Sequence, residues 1–373
     1  MNVYLDNNAT TRVCDESLDA MSRCYREEYG NPSSMHSMGM RAKEMMGQAR
    51  GEVAGMLGAS AKEIVFTSGA TESIHMAILG ACRLHMDKRH IVTSCVEHPS
   101  QLALFDLLEK KGYRVSRLGV DRSGMISLEE LEREIGEDTL LVSLMWANNE
   151  TGVIFPVEEA AGIAKSKGVL FHTDAVQAAG KTAIDLSRIR ADFLSFSGHK
   201  MHAAKGVGVL FARKGWKLSP VFLGHQERGM RGGTENLPAI VGLGVACCLA
   251  MDALDESEKR IAALRDRLEQ EILAKVKDVA VNGAGAPRIS NTSNLSFGNI
   301  ESEALLEKLD RAGIFASSGA ACKAGGTEPS HVLVAMGAEA QSAVRFSLSR
   351  HTTDEEIDHV LGILPGIVET MAN

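Results

Sequence analysis

The chain has 373 residues, a formal net charge of -8 and a hydrophobic content of 45%, which suits two domains or one large domain with an appendage. The charge is modest and the lysines and arginines are scattered, which argues against a nucleic-acid partner. No apolar run is long enough to span a bilayer and residues 1–6 lack the features of a secretory signal, so we expect a cytoplasmic protein without a membrane partner.

Short apolar runs alternate with amphipathic helical stretches through the first two thirds of the chain. The runs lie at residues 63–67, 90–94, 140–145, 169–172 and 192–196. This alternation predicts an α/β fold in which helices cover both faces of a largely parallel sheet. Ligands bind beyond the carboxyl ends of the strands in such sheets. The polar segments that follow the first four runs, at 68–73, 96–99, 148–152 and 173–177, are therefore expected to share one site.

The pattern changes beyond residue 237 to a helix-rich segment with a charged run at 256–269. We interpret this change as the passage from a large domain to a smaller α/β domain. The last third also contains a stretch of small residues, 316–326, which carries Cys322. Glycines in that stretch predict a flexible loop. The seven cysteines of the chain include no C-x-x-C pair, which argues against a disulfide framework and a zinc site.

Lys200 lies on a short loop between the apolar runs 192–197 and 206–211. A lysine held there is partly desolvated, which lowers the pKa and leaves a free amine that can condense with a carbonyl group. Pyridoxal phosphate is the cofactor that requires such an amine. Taken alone, Lys200 is explained more simply as a solvated loop cation like Lys205. The interpretation of Lys200 as a cofactor lysine therefore depends on the other residues of the site.

The other groups that pyridoxal phosphate requires also have candidates in this chain. Asp174 can keep the pyridine nitrogen protonated, Gln177 can reach the phenolic oxygen, and the imidazole of His98 can stack on the ring. The amides of residues 69–71, where a strand turns into a helix, face an anion, and Ser197 and His199 can complete a phosphate site. Each of these residues also has an ordinary structural explanation, as a turn residue, a helix cap or a hydrogen-bonded histidine.

Many motifs in a fixed order carry a resemblance that runs nearly from end to end. They are Tyr-Leu-Asp-Asn-Asn-Ala-Thr-Thr at 4–11, Gly-Asn-Pro-Ser-Ser at 30–34, Thr-Ser-Gly-Ala-Thr-Glu-Ser at 67–73, Glu-His at 97–98, Asn-Asn-Glu-Thr-Gly at 148–152, Asp-Ala-Val-Gln at 174–177, Ser-Gly-His-Lys at 197–200, Arg-Gly-Gly-Thr-Glu-Asn at 231–236, Ser-Ser-Gly-Ala-Ala-Cys at 317–322 and Arg-Phe-Ser-Leu-Ser-Arg at 345–350. The chain thereby resembles the NifS/IscS-type cysteine desulfurases, which are class V aminotransferases of the fold-type I pyridoxal-phosphate group.

The resemblance implies a fold, a domain division and roles for individual residues. It implies a large pyridoxal-phosphate domain, residues 15–252, with a mostly parallel seven-stranded sheet flanked by helices. A small α/β domain would combine residues 1–14 and 253–373 and carry the mobile Cys322 loop. The implied site has Lys200 as the Schiff-base lysine, His98 over the ring, Asp174 at the ring nitrogen, and Asn149 and Gln177 at the phenolic oxygen. The resemblance places Ala70, Thr71, Ser197 and His199 at the phosphate, which Thr234 would also reach from the second subunit of a homodimer. Arg345 and Asn31 would bind the substrate carboxylate.

The implied reaction converts L-cysteine to L-alanine and leaves the sulfur on Cys322 as a persulfide. An iron–sulfur scaffold or another acceptor protein would then take the sulfur for cluster assembly or a different sulfur-transfer pathway. No resident metal is expected, and Cys322 would ligate an iron–sulfur cluster only transiently during transfer. The alternatives are a selenocysteine lyase or another pyridoxal-phosphate β-lyase, in which Cys322 is dispensable, and a non-catalytic scaffold that keeps the fold.

Overall fold

The computed structural model describes residues 1–318 and 329–372 and is organised around a seven-stranded sheet. In chain order the strands are β1 (Val3–Tyr4), β2 (Ile64–Thr67), β3 (His90–Ser94), β4 (Arg114–Leu118), β5 (Thr139–Met145), β6 (Leu170–Asp174), β7 (Phe193–Ser197), β8 (Gly208–Ala212), β9 (Val279–Val281), β10 (Thr292–Phe297), β11 (Ile314–Phe315) and β12 (Ala343–Ser347). The strand order in the large sheet is β2-β8-β7-β6-β5-β3-β4. Strand β8 runs antiparallel to both of its neighbours, and the others run parallel to one another.

Helices follow most of these strands. They are α1 (Asp15–Arg26), α2 (Ser37–Met56), α3 (Ala70–Leu84), α4 (Pro99–Lys110), α5 (Leu128–Glu134), α6 (Val157–Ser166), α7 (Leu237–Asp252), α8 (Leu254–Lys275), α9 (Ser302–Arg311), α10 (His331–Ala335) and α11 (Asp354–Ala372), with 3-10 turns at Ala61–Glu63, Gly198–Lys200, Glu227–Gly229 and Ala340–Ser342. Within the described ranges, no individual helix has the length and apolar character of a membrane span, although the bent pair α7 and α8 meets that criterion when counted together.

The central strands β5, β6 and β7 are buried along their whole length because both faces of the large sheet are covered. Successive residues of a strand point to opposite faces. Accordingly, Phe171 and Leu194 lie in the buried cluster that also contains side chains of α6 and α7. Their neighbours Leu170 and Phe193 lie in the cluster that contains side chains of α3 and α4. The α/β architecture predicted from the alternation of runs and helices is therefore confirmed.

A third apolar cluster joins the two ends of the chain. Val3 and Leu5 are buried in it together with side chains of α8, α9, β12 and α11. Strand β1 pairs with β11, and β10 lies between β12 and β9 in a separate antiparallel sheet. Residues of α10, such as Leu333, pack instead into the cluster beneath the large sheet. The domain boundaries inferred from the resemblance stay a prediction.

The carboxyl ends of β2, β3, β5, β6 and β7 meet at one edge of the large sheet, and the reversed strand β8 begins there. Gly208 at the start of β8 lies against Gly69 at the end of β2. A Cβ atom on Gly208 would lie 2.5 Å from the Gly69 backbone, so a larger residue would push the start of α3 away from the sheet.

Candidate active site

A cavity of about 610 Å³ opens at this edge of the sheet, within the size range of small-molecule sites. Ten of the predicted site residues line it, namely Ala70, Thr71, His98, Asn149, Asp174, Gln177, Ser197, His199, Lys200 and Arg345. They come from elements far apart in the sequence. Nine of them lie at or after the carboxyl ends of strands in the large sheet, and Arg345 comes from β12 of the separate three-stranded sheet.

Lys200 ends the short 3-10 turn that follows β7. Its Nζ atom donates hydrogen bonds to the carbonyl oxygens of Asn8 at 2.5 Å and Ala9 at 2.7 Å. The side chain is half-buried, as expected for a lysine on a loop between two buried strands. The N-terminal segment therefore holds the amine at the cavity.

Asp174 is the last residue of β6 and is only 6% exposed. Its Oδ1 atom accepts a hydrogen bond from the amide of Val176 at 2.9 Å. Burial raises the pKa of Asp174 to about 6, although the Val176 amide and the positive charge of Lys200 act in the opposite direction. A cationic group bound beside this carboxylate would relieve the cost of its burial.

His98 is the N-cap residue of α4, where its Nδ1 atom accepts a hydrogen bond from the amide of Ser100 at 3.2 Å. Burial, together with the positive charges of Lys200 and His331, lowers the pKa of His98 to about 4. The imidazole is therefore neutral near pH 7 and carries its proton on Nε2. It provides a flat, uncharged surface to a ligand in the cavity.

The start of α3 forms one end of the cavity. The first amides of a helix have no partner within the helix, and they carry the positive end of the helix dipole. Ser197, His199 and Lys205 line the cavity together with residues 68–72. The carboxylate of Glu72 is held by Arg231, with Nε and Oε1 at 2.9 Å. The helix amides, Ser197, His199 and Lys205 thus offer donors to an anion, while Arg231 pairs with the charge of Glu72.

Arg345 on β12 is 3% exposed and lies between the two domains predicted from the sequence. Its Nη1 atom donates to the carbonyl of Asn149 at 3.0 Å and its Nη2 atom to Oδ1 of Asp6 at 2.6 Å. Its Nε atom is buried without a hydrogen-bond partner among the described residues. A carboxylate of a ligand could satisfy that donor.

Three predicted residues are not part of this cavity lining. Asn31 and Thr234 are exposed elsewhere on the surface of the chain, and Cys322 lies outside the described residues. The backbone of Ser317, which precedes that segment, pairs with the backbone of Arg345 at 2.6 and 3.2 Å. On the other side of the segment, Ser330 donates to Oε2 of the buried Glu150 at 2.5 Å. Both flanks of the segment that carries Cys322 are therefore attached next to the cavity.

Several residues at the site were missed by sequence reasoning. Asn8 has 1% exposure, and its side chain bonds to four residues in three other segments. Lys181 bonds to Gln177, and Lys205, which was considered a solvated cation, lines the cavity. Glu97, directly before His98, is fully buried, and burial raises its pKa to about 8. Asn8 and Glu97 lie within the motifs at 4–11 and 97–98, and the spacing of four residues from Gln177 is the signal for Lys181.

Among residues 1–318 and 329–372, no group of three or more His, Cys, Asp or Glu side chains could hold a metal ion. The cavity lining includes the Lys200 amine, the Asp174 carboxylate, the imidazoles of His98 and His199 and the Arg345 guanidinium. The transient cluster ligation expected of Cys322 concerns a residue outside these ranges.

Comparisons with known proteins identify the relatives of this chain. The sequence model of the family described as "Aminotransferase class-V" matches residues 3–360. The cysteine desulfurase NifS of Azotobacter vinelandii is 49% identical over 376 residues, which cover 100% of this chain and 94% of that protein. A solved NifS-like protein superimposes with a TM-score of 0.93 at 41% identity, covering 99% of this chain and 100% of the other.

A second solved structure, SspA in complex with cysteine, has a TM-score of 0.82 and 34% identity over 94% of this chain and 100% of that chain. The family resemblance and the fold predicted from the sequence are confirmed by these matches. The chain belongs to the class V aminotransferases and, within that family, to the NifS-type cysteine desulfurases.

Proposed function

We propose that the cavity binds pyridoxal 5'-phosphate and that the protein converts L-cysteine to L-alanine in the cytoplasm. Cys322 receives the sulfur as a persulfide and passes it to an acceptor protein, for iron–sulfur cluster assembly or another sulfur-transfer pathway. The observation that carries this proposal is the convergence of Lys200, Asp174, His98 and Arg345 with the start of α3 in one cavity. Free cysteines among the described residues suit a reducing compartment.

The residues present fit this cofactor group by group. The anion site formed by Ala70, Thr71, Ser197 and His199 suits its phosphate, and the buried carboxylate of Asp174 suits a protonated ring nitrogen. The neutral ring of His98 suits stacking, and Asn149 and Gln177 suit the phenolic oxygen. When bound, pyridoxal phosphate supplies an aldehyde that reacts with amines and a ring that accepts electrons.

The chain's own groups then bind and deprotonate the substrate. Arg345 holds the carboxylate of L-cysteine, because its guanidinium is buried and has a donor to spare. We assign Asn31 a supporting part in this contact from the resemblance. With the cofactor and substrate bound, Lys200 Nζ would accept the proton from the substrate Cα atom.

Sulfur transfer requires a thiolate that can reach the substrate. We assign it to Cys322, whose flanking segments are attached beside the cavity at Ser317 and Ser330. In the balanced reaction, L-cysteine and the Cys322 thiol become L-alanine and a Cys322 persulfide. Burial raises the pKa of the Cys82, Cys95 and Cys247 thiols, which makes them poor nucleophiles.

A homodimer is part of this proposal because Thr234 is assigned to the phosphate of a neighbouring subunit. A second cavity, of about 640 Å³, lies between residues 32–50 and 225–235; most residues of its lining are polar, but the lining includes the exposed apolar side chains of Met35 and Met40, which are 89% and 63% exposed. Such a surface suits a second copy of the chain. We expect sedimentation to show a dimer, and a fully active monomer would contradict the assignment of Thr234.

The loop before Thr234 has a conformation that needs support from its neighbours. Glu227 and Arg228 have positive φ angles of 46° and 59°, which are unfavourable for residues other than glycine. Arg50 stabilises this turn through two hydrogen bonds of 2.7 Å to the Glu227 carboxylate. The turn that precedes Thr234 is therefore held by contacts within the single chain.

The direct test is to load the protein with pyridoxal phosphate, add L-cysteine and measure alanine and sulfide. We also expect mass spectrometry to find one extra sulfur on the peptide that contains Cys322, removable by a thiol. The protein without cofactor is the control. Binding of the cofactor without any alanine release from L-cysteine would refute the proposal, and turnover only of selenocysteine without a persulfide would favour a selenocysteine lyase.

Asp174→Asn should have opposite effects on the stability of the cofactor-free protein and on cofactor binding. Because burial raises the pKa of Asp174 from 3.8 to about 6, ionisation of this carboxyl lowers the free energy of unfolding as the pH rises through this interval. The decrease is on the order of 3 kcal/mol. Asparagine keeps the bond to Val176 and avoids that decrease. Thermal unfolding should show a stability gain that grows between pH 4 and 6, while titration shows weaker pyridoxal-phosphate binding. Weaker binding without a pH-dependent gain would contradict the pKa assignment.

A further inference from the structure

Lys181 forms a hydrogen bond with Gln177 near Lys200, and the proposed function gives Lys181 no role. Gln177 and Lys181 lie four residues apart on the helical turn that follows β6, where the amide of Ala179 bonds to the carbonyl of Ala175 at 2.9 Å. This spacing places the two side chains on one face of the turn. Lys181 Nζ donates to Gln177 Oε1 at 2.6 Å and to Asn8 Oδ1 at 3.2 Å.

The partners of Gln177 determine which end of its amide is nitrogen. Its Nε2 atom donates to the carbonyl oxygen of Asn8 at 3.0 Å, and a carbonyl oxygen can only accept. Its other end lies against the amine of Lys181, which donates. Both partners therefore require the same orientation of the amide.

The bond from Lys181 does not depend on its charge. Burial lowers the pKa of Lys181 well below its usual range, and the positive charges of Lys200 and Arg345 lower it further. A neutral amine still has two N–H groups, so it can donate to both Gln177 and Asn8 in either protonation state. The orientation of the Gln177 amide is thus maintained across the working pH range.

Asn8 is held in place by the rest of the structure. Its Oδ1 atom also accepts a bond from Asn291 Nδ2 at 3.0 Å, and its Nδ2 atom donates to Thr292 Oγ1 at 2.8 Å. Its main-chain carbonyl accepts from both Gln177 and Lys200. Lys200 and the side-chain amide of Gln177 therefore bond to the same acceptor, the main-chain carbonyl of Asn8.

Gln177 is 3% exposed and lines the cavity. With one N–H of Nε2 bonded to Asn8, the second N–H remains for an acceptor on a ligand. We propose that Lys181 is a positioning residue, which holds the Gln177 amide so that it presents a donor, and not its oxygen, to the phenolic oxygen of pyridoxal phosphate. This inference rests on the proposed function.

Lys181→Met tests the inference, because methionine has a similar length and cannot donate. Without Lys181 the Gln177 amide loses one of the two hydrogen bonds that fix its orientation, so we expect the dissociation constant of pyridoxal phosphate to rise about fivefold to tenfold. The position of the visible absorption band of the loaded protein should shift as well. Lys181→Arg keeps a donor and is the matched control, which should restore much of the affinity.

Two comparisons separate positioning from a general effect on charge or folding. Lys181→Met should bind 3-deoxypyridoxal 5'-phosphate, which lacks the phenolic oxygen, almost as well as the unaltered protein does. In the Gln177→Leu background, where Lys181 has no amide to orient, Lys181→Met should not weaken the binding of pyridoxal phosphate further. Equal weakening for both ligands, or an additive loss in the double variant, would overturn the inference. Thermal unfolding of the cofactor-free variants monitors folding, and Lys181→Leu replaces Lys181→Met if the latter does not fold.

Failure of this inference can be told apart from failure of the proposed function. If the unaltered protein does not bind pyridoxal phosphate, the proposed function is wrong and the inference is wrong with it. If the unaltered protein binds the cofactor and Lys181→Met binds it equally well, with an unchanged absorption band, only the role of Lys181 is wrong.

Discussion

Lys200→Ala should abolish covalent attachment of pyridoxal phosphate and reduce alanine formation by roughly 10²-fold to 10⁴-fold or more. The Nζ atom of Lys200 is the amine assigned to the aldehyde and to the substrate proton, and it lies between the carbonyls of Asn8 and Ala9. The variant should keep its fold, because the half-buried side chain is not part of an apolar cluster. Borohydride treatment followed by mass spectrometry of the loaded protein measures the attachment.

Lys205→Ala is the matched control for this experiment. Lys205 also lines the cavity but is exposed, and it stands near the assigned phosphate site. This variant should bind the cofactor more weakly and still fix it to the peptide that contains Lys200. Fixation in Lys200→Ala at the level of the unaltered protein would show that another lysine reacts.

Cys322→Ala should stop alanine formation and leave the cofactor chemistry in place. The residues assigned to pyridoxal phosphate lie elsewhere in the chain, so the variant should bind the cofactor with its usual affinity and absorption band. Addition of L-cysteine should still perturb that band. The reaction should end there, because no thiol accepts the sulfur. Alanine assays and absorption spectra of the same sample measure both effects.

Cys248→Ala provides a control on α7, away from the cavity. We expect it to release alanine at the rate of the unaltered protein and to acquire a persulfide on Cys322. Release of alanine by Cys322→Ala at that same rate would remove Cys322 from the mechanism. The selenocysteine-lyase and general β-lyase alternatives would then be preferred.

Much of the cavity could be predicted from the sequence because its groups belong to local motifs at strand ends. Asp174 ends β6, Lys200 ends the turn after β7 and residues 69–71 begin α3. In a parallel sheet the ends of neighbouring strands meet at one edge. Locating each strand therefore predicts that these residues converge, and the model places them in one cavity.

Contacts between remote segments could not be predicted in this way. Asn8 bonds to side chains 173 and 283 positions away, in Lys181 and Asn291. The pairing of Arg50 with Glu227 spans 177 positions. Hydrophobic periodicity and local motifs do not indicate these particular contacts, because they depend on how the helices and sheets pack against one another.

The sequence by itself determined the α/β class, the family and ten residues of the cavity lining, since strand periodicity and local motifs are encoded in neighbouring residues. The tertiary structure alone decided the electrostatic state and orientation of those groups. Burial makes His98 neutral near pH 7 and raises the pKa of Asp174, and the desolvation responsible arises only when distant elements exclude water. Likewise, the orientation of the Gln177 amide depends on Asn8 and Lys181, which the folded chain brings to opposite ends of one side chain.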